Sequence, residues 1–288
     1  MKSLYINNSN FINFVIIVLF FVTTLEGWSQ NIKSEFSINA SGIFSQLDYD
    51  LPQGYLDKDR GWSAGVGYAY YLTPQWSINL EGNYQKYSST ALINTTSGSY
   101  QTTDFENEDF EFRYVANNYQ EQQELDVIHI PLTLQFQTDG DTKFYIRGGV
   151  QIGILFNSTY TSSVEKLSTS GYYEQYNVEL FDPIFMGFGE FSDVFQKNVE
   201  LDWDMSYSTV LETGVKAEVG DARHLYIGFF VNYGIASISS DSTQKQLIEY
   251  EQNTPSDYTL GGIFKSGLAQ NARLQSFGIK LRYALGGY

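Results

Sequence analysis

Two histidines, His129 and His224, are the first residues to test for chemistry in this chain of 288 residues. An imidazole held beside a serine and a carboxylate would make a hydrolytic centre. His129 lies inside a segment of alternating polarity and His224 beside a turn, so the two are not expected to share a site. Cysteine is absent. That removes disulfides, thiolate zinc sites, a cysteine nucleophile and a lipoprotein anchor. The run 104–112 interleaves Asp104, Glu106, Glu108, Asp109 and Glu111 with Phe105, Phe110 and Phe112. It could hold a cation through oxygen ligands, or extend the flanking strands as a solvated hairpin with its alternation continued. The second reading is preferred. Neither a catalytic, a cofactor-binding nor a metal site is expected, and the chain does not read as an enzyme.

The remaining chemistry is ionic. Glu81, Arg147, Glu212, Lys216, Glu218, Lys280 and Arg282 fall on the polar faces of strand-like segments. Three acids and four bases that share an interior must pair, because an unpaired charge away from water costs several kcal/mol.

Eight segments could position them, near 35–47, 61–72, 76–88, 125–137, 143–157, 207–219, 225–236 and 272–288. Each alternates with period two, the pattern of a strand with two different faces. In the last, Phe277, Ile279, Leu281, Tyr283 and Leu285 oppose Gly278, Lys280, Arg282 and Ala284. Aromatics make up 17% of the chain, which suits pleated surfaces. Connections of a few residues, such as Thr73-Pro74-Gln75, alternate strictly with long ones near 48–60, 89–124, 158–206 and 239–271. An up-and-down meander with tight turns at one rim produces this order, and a Greek-key sandwich does not. Each segment supplies the 9–11 residues that a membrane strand needs.

The expected fold is therefore all-β: an eight-stranded antiparallel up-and-down transmembrane β-barrel, with long extracellular loops and short periplasmic turns. Eight strands leave a lumen just wide enough for side chains. The apolar faces then meet lipid, and the charged faces form a closed, ion-paired interior. A pore would need a wider barrel. A lipid-modifying enzyme would need a serine and an acid near His129 at the outer rim. Pro131 lies inside the fourth segment, and a bulge there is expected to absorb its missing N–H. Trp76, Phe144 and Tyr283 sit low, and Tyr84 and Phe156 higher, where aromatic belts meet the lipid–water boundary.

Lys2, the apolar run 11–22 and the small residues Gly27 and Ser29 read as a secretory signal peptide over 1–29, leaving 30–288 as the barrel domain. The net charge of −16 argues against a nucleic-acid partner. The aromatics of the third long connection (Phe181, Phe185, Phe188, Phe191, Phe195 and Trp203) should not all be exposed. They would either cap the barrel mouth or dock a protein partner.

The stretches 71–78, 125–132 and 145–150, the second ending Ile130-Pro131-Leu132 and the third carrying Arg147-Gly148-Gly149, resemble the Bacteroidetes-type outer-membrane β-barrel family, also called PorT-like. The last strand looks like the signal read by the barrel-assembly machinery, with Ser276, Gly278, Leu281 and Tyr283 as its elements, although Gly286-Gly287-Tyr288 extends beyond it. The resemblance implies the cell outer membrane as location and outer-membrane lipid as surroundings, with no cofactor. It implies a structural or interaction role through the outer loops, or an accessory role in a type IX-like secretion or adhesion machine.

Overall fold

A computed structural model describes residues 33–58, 60–239 and 245–286. The expected signal peptide lies outside them. Eight long strands close a ring: β1 (Ser34–Asp50), β2 (Arg60–Tyr71), β3 (Trp76–Thr103), β4 (Asp109–Gln137), β5 (Thr142–Tyr173), β6 (Ser206–Gly220), β7 (Arg223–Gly234) and β8 (Gln270–Gly286). Every neighbouring pair is antiparallel and consecutive in the chain, and β8 returns to β1 with Phe44 opposite Phe277.

Burial in the ring is inverted relative to a water-soluble protein. Ile38, Val66, Leu80, Leu132, Val150, Leu211, Phe229 and Ile279, one from each strand, are half exposed or more, whereas Asn39, Glu81, Arg147, Glu212, Lys280 and Arg282 are buried. Alternation with this sign places an apolar belt around a polar interior, the arrangement that lipid selects. Trp76 and Phe136 mark the short-turn rim with a ring contact at 5.1 Å, and Trp62, Tyr84 and Phe156 form a ladder of rings near the opposite boundary.

The turns at one rim are tight. Trp76 N–H donates to Thr73 Oγ1 at 3.1 Å, and Phe144 N–H to Thr138 Oγ1 at 3.0 Å. Closure of the ring depends on a close backbone approach at Gly278. A Cβ there would lie 2.1 Å from the carbonyl oxygen of Gly42 on β1. Replacing Gly278 with valine is therefore expected to separate β8 from β1. The readout is the heat-modifiable fast-migrating band after refolding, which should fall several-fold. An unchanged band would contradict the close approach.

The expected bulge at Pro131 is not where the structure puts it. Pro131 pairs with Gln151 without a register shift, and the shift in the β4–β5 ladder falls between Asp126 and Val127. Toward β3 the ladder runs from Leu80–Leu132 to Asn83–His129 with the two intervening pairs absent and the register kept. The missing donor is accommodated by skipping those rungs instead of inserting a residue.

Strands β3, β4 and β5 continue far past the apolar belt. From Tyr84 to Thr103, β3 runs roughly 60 Å at about 3.3 Å per residue. Strand Gly189–Glu200 pairs with the upper part of β5, and strand Tyr55–Lys58 pairs with β3. Together they form a sheet outside the belt. Its inner face carries Ile93, Phe110, Phe112, Tyr114, Tyr119 and Val164, all buried. The connection before β8 folds onto that face through Leu247, Ile248, Tyr250, Tyr258, Leu260 and Ile263. The hairpin expected over 89–124 is thus present but only half solvated, because its inner face is the core of a cap.

Alternation along this hairpin changes phase, contrary to the expected continuation. On β3 the inward residues are odd-numbered through Ile93 and even-numbered from Thr96. On β4 they change between Ala116 and Tyr119, on β5 between Val164 and Leu167, and on Gly189–Glu200 between Phe191 and Val194. The positions skipped by the ladders are Asn94, Asn118, Glu165 and Asp193. Each strand carries one extra residue at the same level, so the register survives while a crease crosses the sheet. Asn118 and Asp193 adopt left-handed backbone, φ 53° and 56°, a conformation that Asn and Asp tolerate better than most residues.

Candidate functional site: the barrel interior and its outer cap

The interior is layered. Next to the short-turn rim, Glu35 accepts from Lys216 Nζ and from Tyr226 Oη, each at 2.5 Å. Lys216 Nζ also donates to Tyr71 Oη at 2.8 Å, and His224 Nδ1 lies 3.4 Å from Glu35. Above this, Glu81 contacts Arg147, and Glu212 contacts Arg282. Lys280 Nζ bridges both carboxylates at 3.2 and 3.3 Å. Tyr145 Oη donates to Glu212 at 2.8 Å.

Of the residues assigned to the interior from sequence, Glu81, Arg147, Glu212, Lys280 and Arg282 come together in one cluster, and Lys216 sits in the lower one. Glu218 does not join them. It is exposed, near the end of β6, where the strand has left the ring's interior. Its place is taken by Glu35, which the sequence reading did not assign to the interior. The ratio is unchanged: Glu35, Glu81 and Glu212 face Arg147, Lys216, Lys280 and Arg282. Gly278 also points inward, whereas Leu281 and Tyr283 point to the belt.

Higher still, His129 is buried. Its Nε2 lies 2.9 Å from Tyr87 Oη and its Nδ1 2.9 Å from Gln151 Nε2. Those partners orient the ring, and neither is a serine or a carboxylate. Between the upper cluster and His129 a cavity of about 20 Å³ remains, room for roughly one water. Beyond His129 the channel is filled by Leu47, Tyr87, Val127 and Leu274, which merge into the core of the cap.

The cap is an aromatic core outside the belt. Phe110 packs against Tyr173, Phe188 and Tyr250 with centroids 5.2–5.4 Å apart. Phe191 meets Tyr258 at 5.1 Å, and Trp203 meets Phe264 at 4.7 Å. Phe188, Phe191 and Trp203 thus belong to the cap, whereas Phe181, Phe185 and Phe195 are exposed. Asp104 caps the hairpin tip: its Oδ1 accepts the N–H of Glu106 and of Glu108, and its Oδ2 accepts from Tyr173 Oη at 2.8 Å. No group of three or more metal-ligating residues occurs among the described residues.

One buried carboxylate fastens the cap. Glu121 accepts from Tyr119 Oη at 2.5 Å, Gln123 Nε2 at 2.9 Å and Ile263 N–H at 2.9 Å. Burial raises its pKa above the usual carboxylate value, against the lowering effect of those donors and of Lys265. Sequence reasoning missed this residue. Its one signal was an acid at an inward position among the polar residues 117–124.

A family model for the outer membrane protein beta-barrel domain matches residues 28–238. The chain belongs to that family. Its place is accordingly the outer membrane. Among solved structures, this outer-membrane barrel is similar to Neisserial surface protein A, at 12% identity and a TM-score of 0.36, covering 89% of this chain and 99% of that one. It is also similar to OprG from Pseudomonas aeruginosa, at 9% identity and 0.35, covering 89% and 95%. A third is Ail, the attachment invasion locus protein of Yersinia pestis, at 10% identity and 0.30, covering 89% and 100%. No curated protein matches the chain.

Proposed function

We propose that this barrel is a non-enzymatic, closed outer-membrane anchor that presents a rigid outer cap for binding a protein partner. The observation that carries this reading is the far end of the cap. Phe105, Tyr176, Val178, Phe181, Ile184 and Phe185 lie there, 45–71% exposed. Phe105 and Phe185 touch at 6.4 Å, and Tyr176 Oη donates to Glu108 at 2.9 Å. A large exposed apolar group away from lipid marks an interaction surface. Glu106, Glu108, Asp109, Glu174 and Asp182 surround it in the sequence, so a partner with a basic rim fits best. The long inner core holds this tip in place, which lowers the ordering cost of binding.

The ion pairs and the apolar fill above His129 support a lumen closed to solutes. Steady conductance in planar bilayers is expected to be absent, and discrete ohmic steps from pure protein would refute closure. A photo-reactive residue placed at Phe185 on living cells should give a discrete cross-linked protein, and the same residue at Val150 on the belt should not. Equal products from both positions would defeat the reading. Within the family, the stretches around Ile130-Pro131-Leu132 and Arg147-Gly148-Gly149 favour the PorT-like branch. Gly278, Leu281 and Tyr283 are the proposed assembly signal.

A further inference from the structure

The crease across the outer sheet opens a groove that the tip reading does not use. Its volume is about 430 Å³. Asn94, Asn118, Glu165 and Asp193 lie along it, with Tyr55 at one end and Phe195 at the other. Both aromatics are exposed, at 57% and 61%. The two ends are four strand spacings apart, roughly 19 Å.

Two physical facts distinguish this groove from ordinary exposed sheet. It exists because four adjacent strands each carry an extra residue at one level, which leaves a row of backbone out of the ladder. The extra residues are two amides and two carboxylates, and Asn118 Nδ2 donates to Glu165 at 2.6 Å, which sets the row in order. Amides both donate and accept, and carboxylates accept strongly from hydroxyls. Tyr55 offers an exposed flat apolar face at one end, and at the other Lys197 Nζ stands over the exposed Phe195 ring, 5.0 Å from its centroid, where a stacking sugar displaces it. A long, open cleft with aromatic ends and a floor of hydrogen-bonding groups complements a chain of hydroxyl-rich rings, whose apolar C–H faces alternate with polar edges. Glu165 and Asp193 would repel sulfate or carboxylate substituents.

We infer that the crease groove binds a neutral, linear oligosaccharide lengthwise across the strands, stacked on Tyr55 and Phe195 and hydrogen-bonded by Asn94, Asn118, Glu165 and Asp193. The site faces outward above the belt, so both surface polysaccharide and dissolved glycan can reach it. It is independent of the aromatic tip.

The test is calorimetric titration of the full-length, detergent-folded barrel with cello-, laminari-, malto- and manno-hexaose, and with a sulfated hexasaccharide for comparison. At least one neutral hexasaccharide is expected to bind, and the sulfated one is not. Tyr55→Ala and Phe195→Ala should each weaken binding about tenfold, with the heat-modifiable band unchanged. Phe185→Ser at the tip should leave the affinity as it is. No heat with any neutral sugar at millimolar concentration would overturn the inference. So would preference for the sulfated sugar, affinity indifferent to both groove aromatics, or affinity lost in Phe185→Ser.

Discussion

Glu212→Gln is expected to cost about 3–5 kcal/mol of barrel stability, the range for breaking a buried ion pair from one side. The interior already holds one more cation than carboxylate, counting Glu35, Glu81 and Glu212 against Arg147, Lys216, Lys280 and Arg282. Glu212 takes Arg282, Lys280 at 3.3 Å, Arg147 at 3.7 Å and the Tyr145 hydroxyl. Neutralising it leaves Glu81 to face three cations. Arg147→Met removes the surplus charge instead, and both carboxylates keep Lys280 and Arg282. It should therefore cost less. Urea unfolding of vesicle-embedded protein measures both. A Glu212→Gln loss under about 1 kcal/mol, or a larger loss for Arg147→Met, would show that the cluster does not act as a charge-matched unit.

The second large effect is confined to the cap. Glu121→Leu leaves Tyr119 Oη, Gln123 Nε2 and Ile263 N–H without their acceptor, at about 1–3 kcal/mol for each buried donor that finds no replacement. The connection over 245–269 should detach and become protease-sensitive while the barrel's heat-modifiable band persists. The pH dependence has a definite sign. Burial raises the Glu121 pKa in the closed cap, so closure binds a proton more readily than the open state does. Glu121 favours closure fully below the ordinary carboxylate value. That contribution is lost as pH rises from there through the raised value, after which it is flat. Cleavage within 245–269 should accelerate over this window, and Glu121→Gln should remove Glu121's part of the pH dependence. Acceleration toward acid that Glu121→Gln abolishes would reverse the assignment.

The ring was legible because lipid imposes a period-two pattern that no local conformation disguises. Ile227, Phe229, Val231 and Tyr233 on β7, for example, read directly as an outward face. Loop length gave the order of the strands. The cap was hidden for a physical reason. Its core is assembled from inward residues of three over-long strands and from a connection without strand periodicity, so Leu247, Ile248, Tyr258 and Ile263 carry no pattern that announces their partners. Glu35 opens the first segment but was not assigned to its polar face, and Glu218 was placed inside because alternation was carried past the point where β6 leaves the wall. At Pro131 a local rule about a missing donor was overruled by the two flanking ladders, which hold the register through it.

Deleting Asn118 alone would turn every residue of β4 beyond it to the opposite side of the sheet. Phe110, Phe112 and Tyr114 would then face solvent and their charged neighbours the aromatic core. The same holds for Asn94, Glu165 or Asp193 taken singly, whereas removing all four together would restore uninterrupted alternation. Length variation at the crease is therefore a concerted matter. An exposed stretch of a connection can change length by itself, but this level of the sheet can shed its extra residues only in all four strands at once.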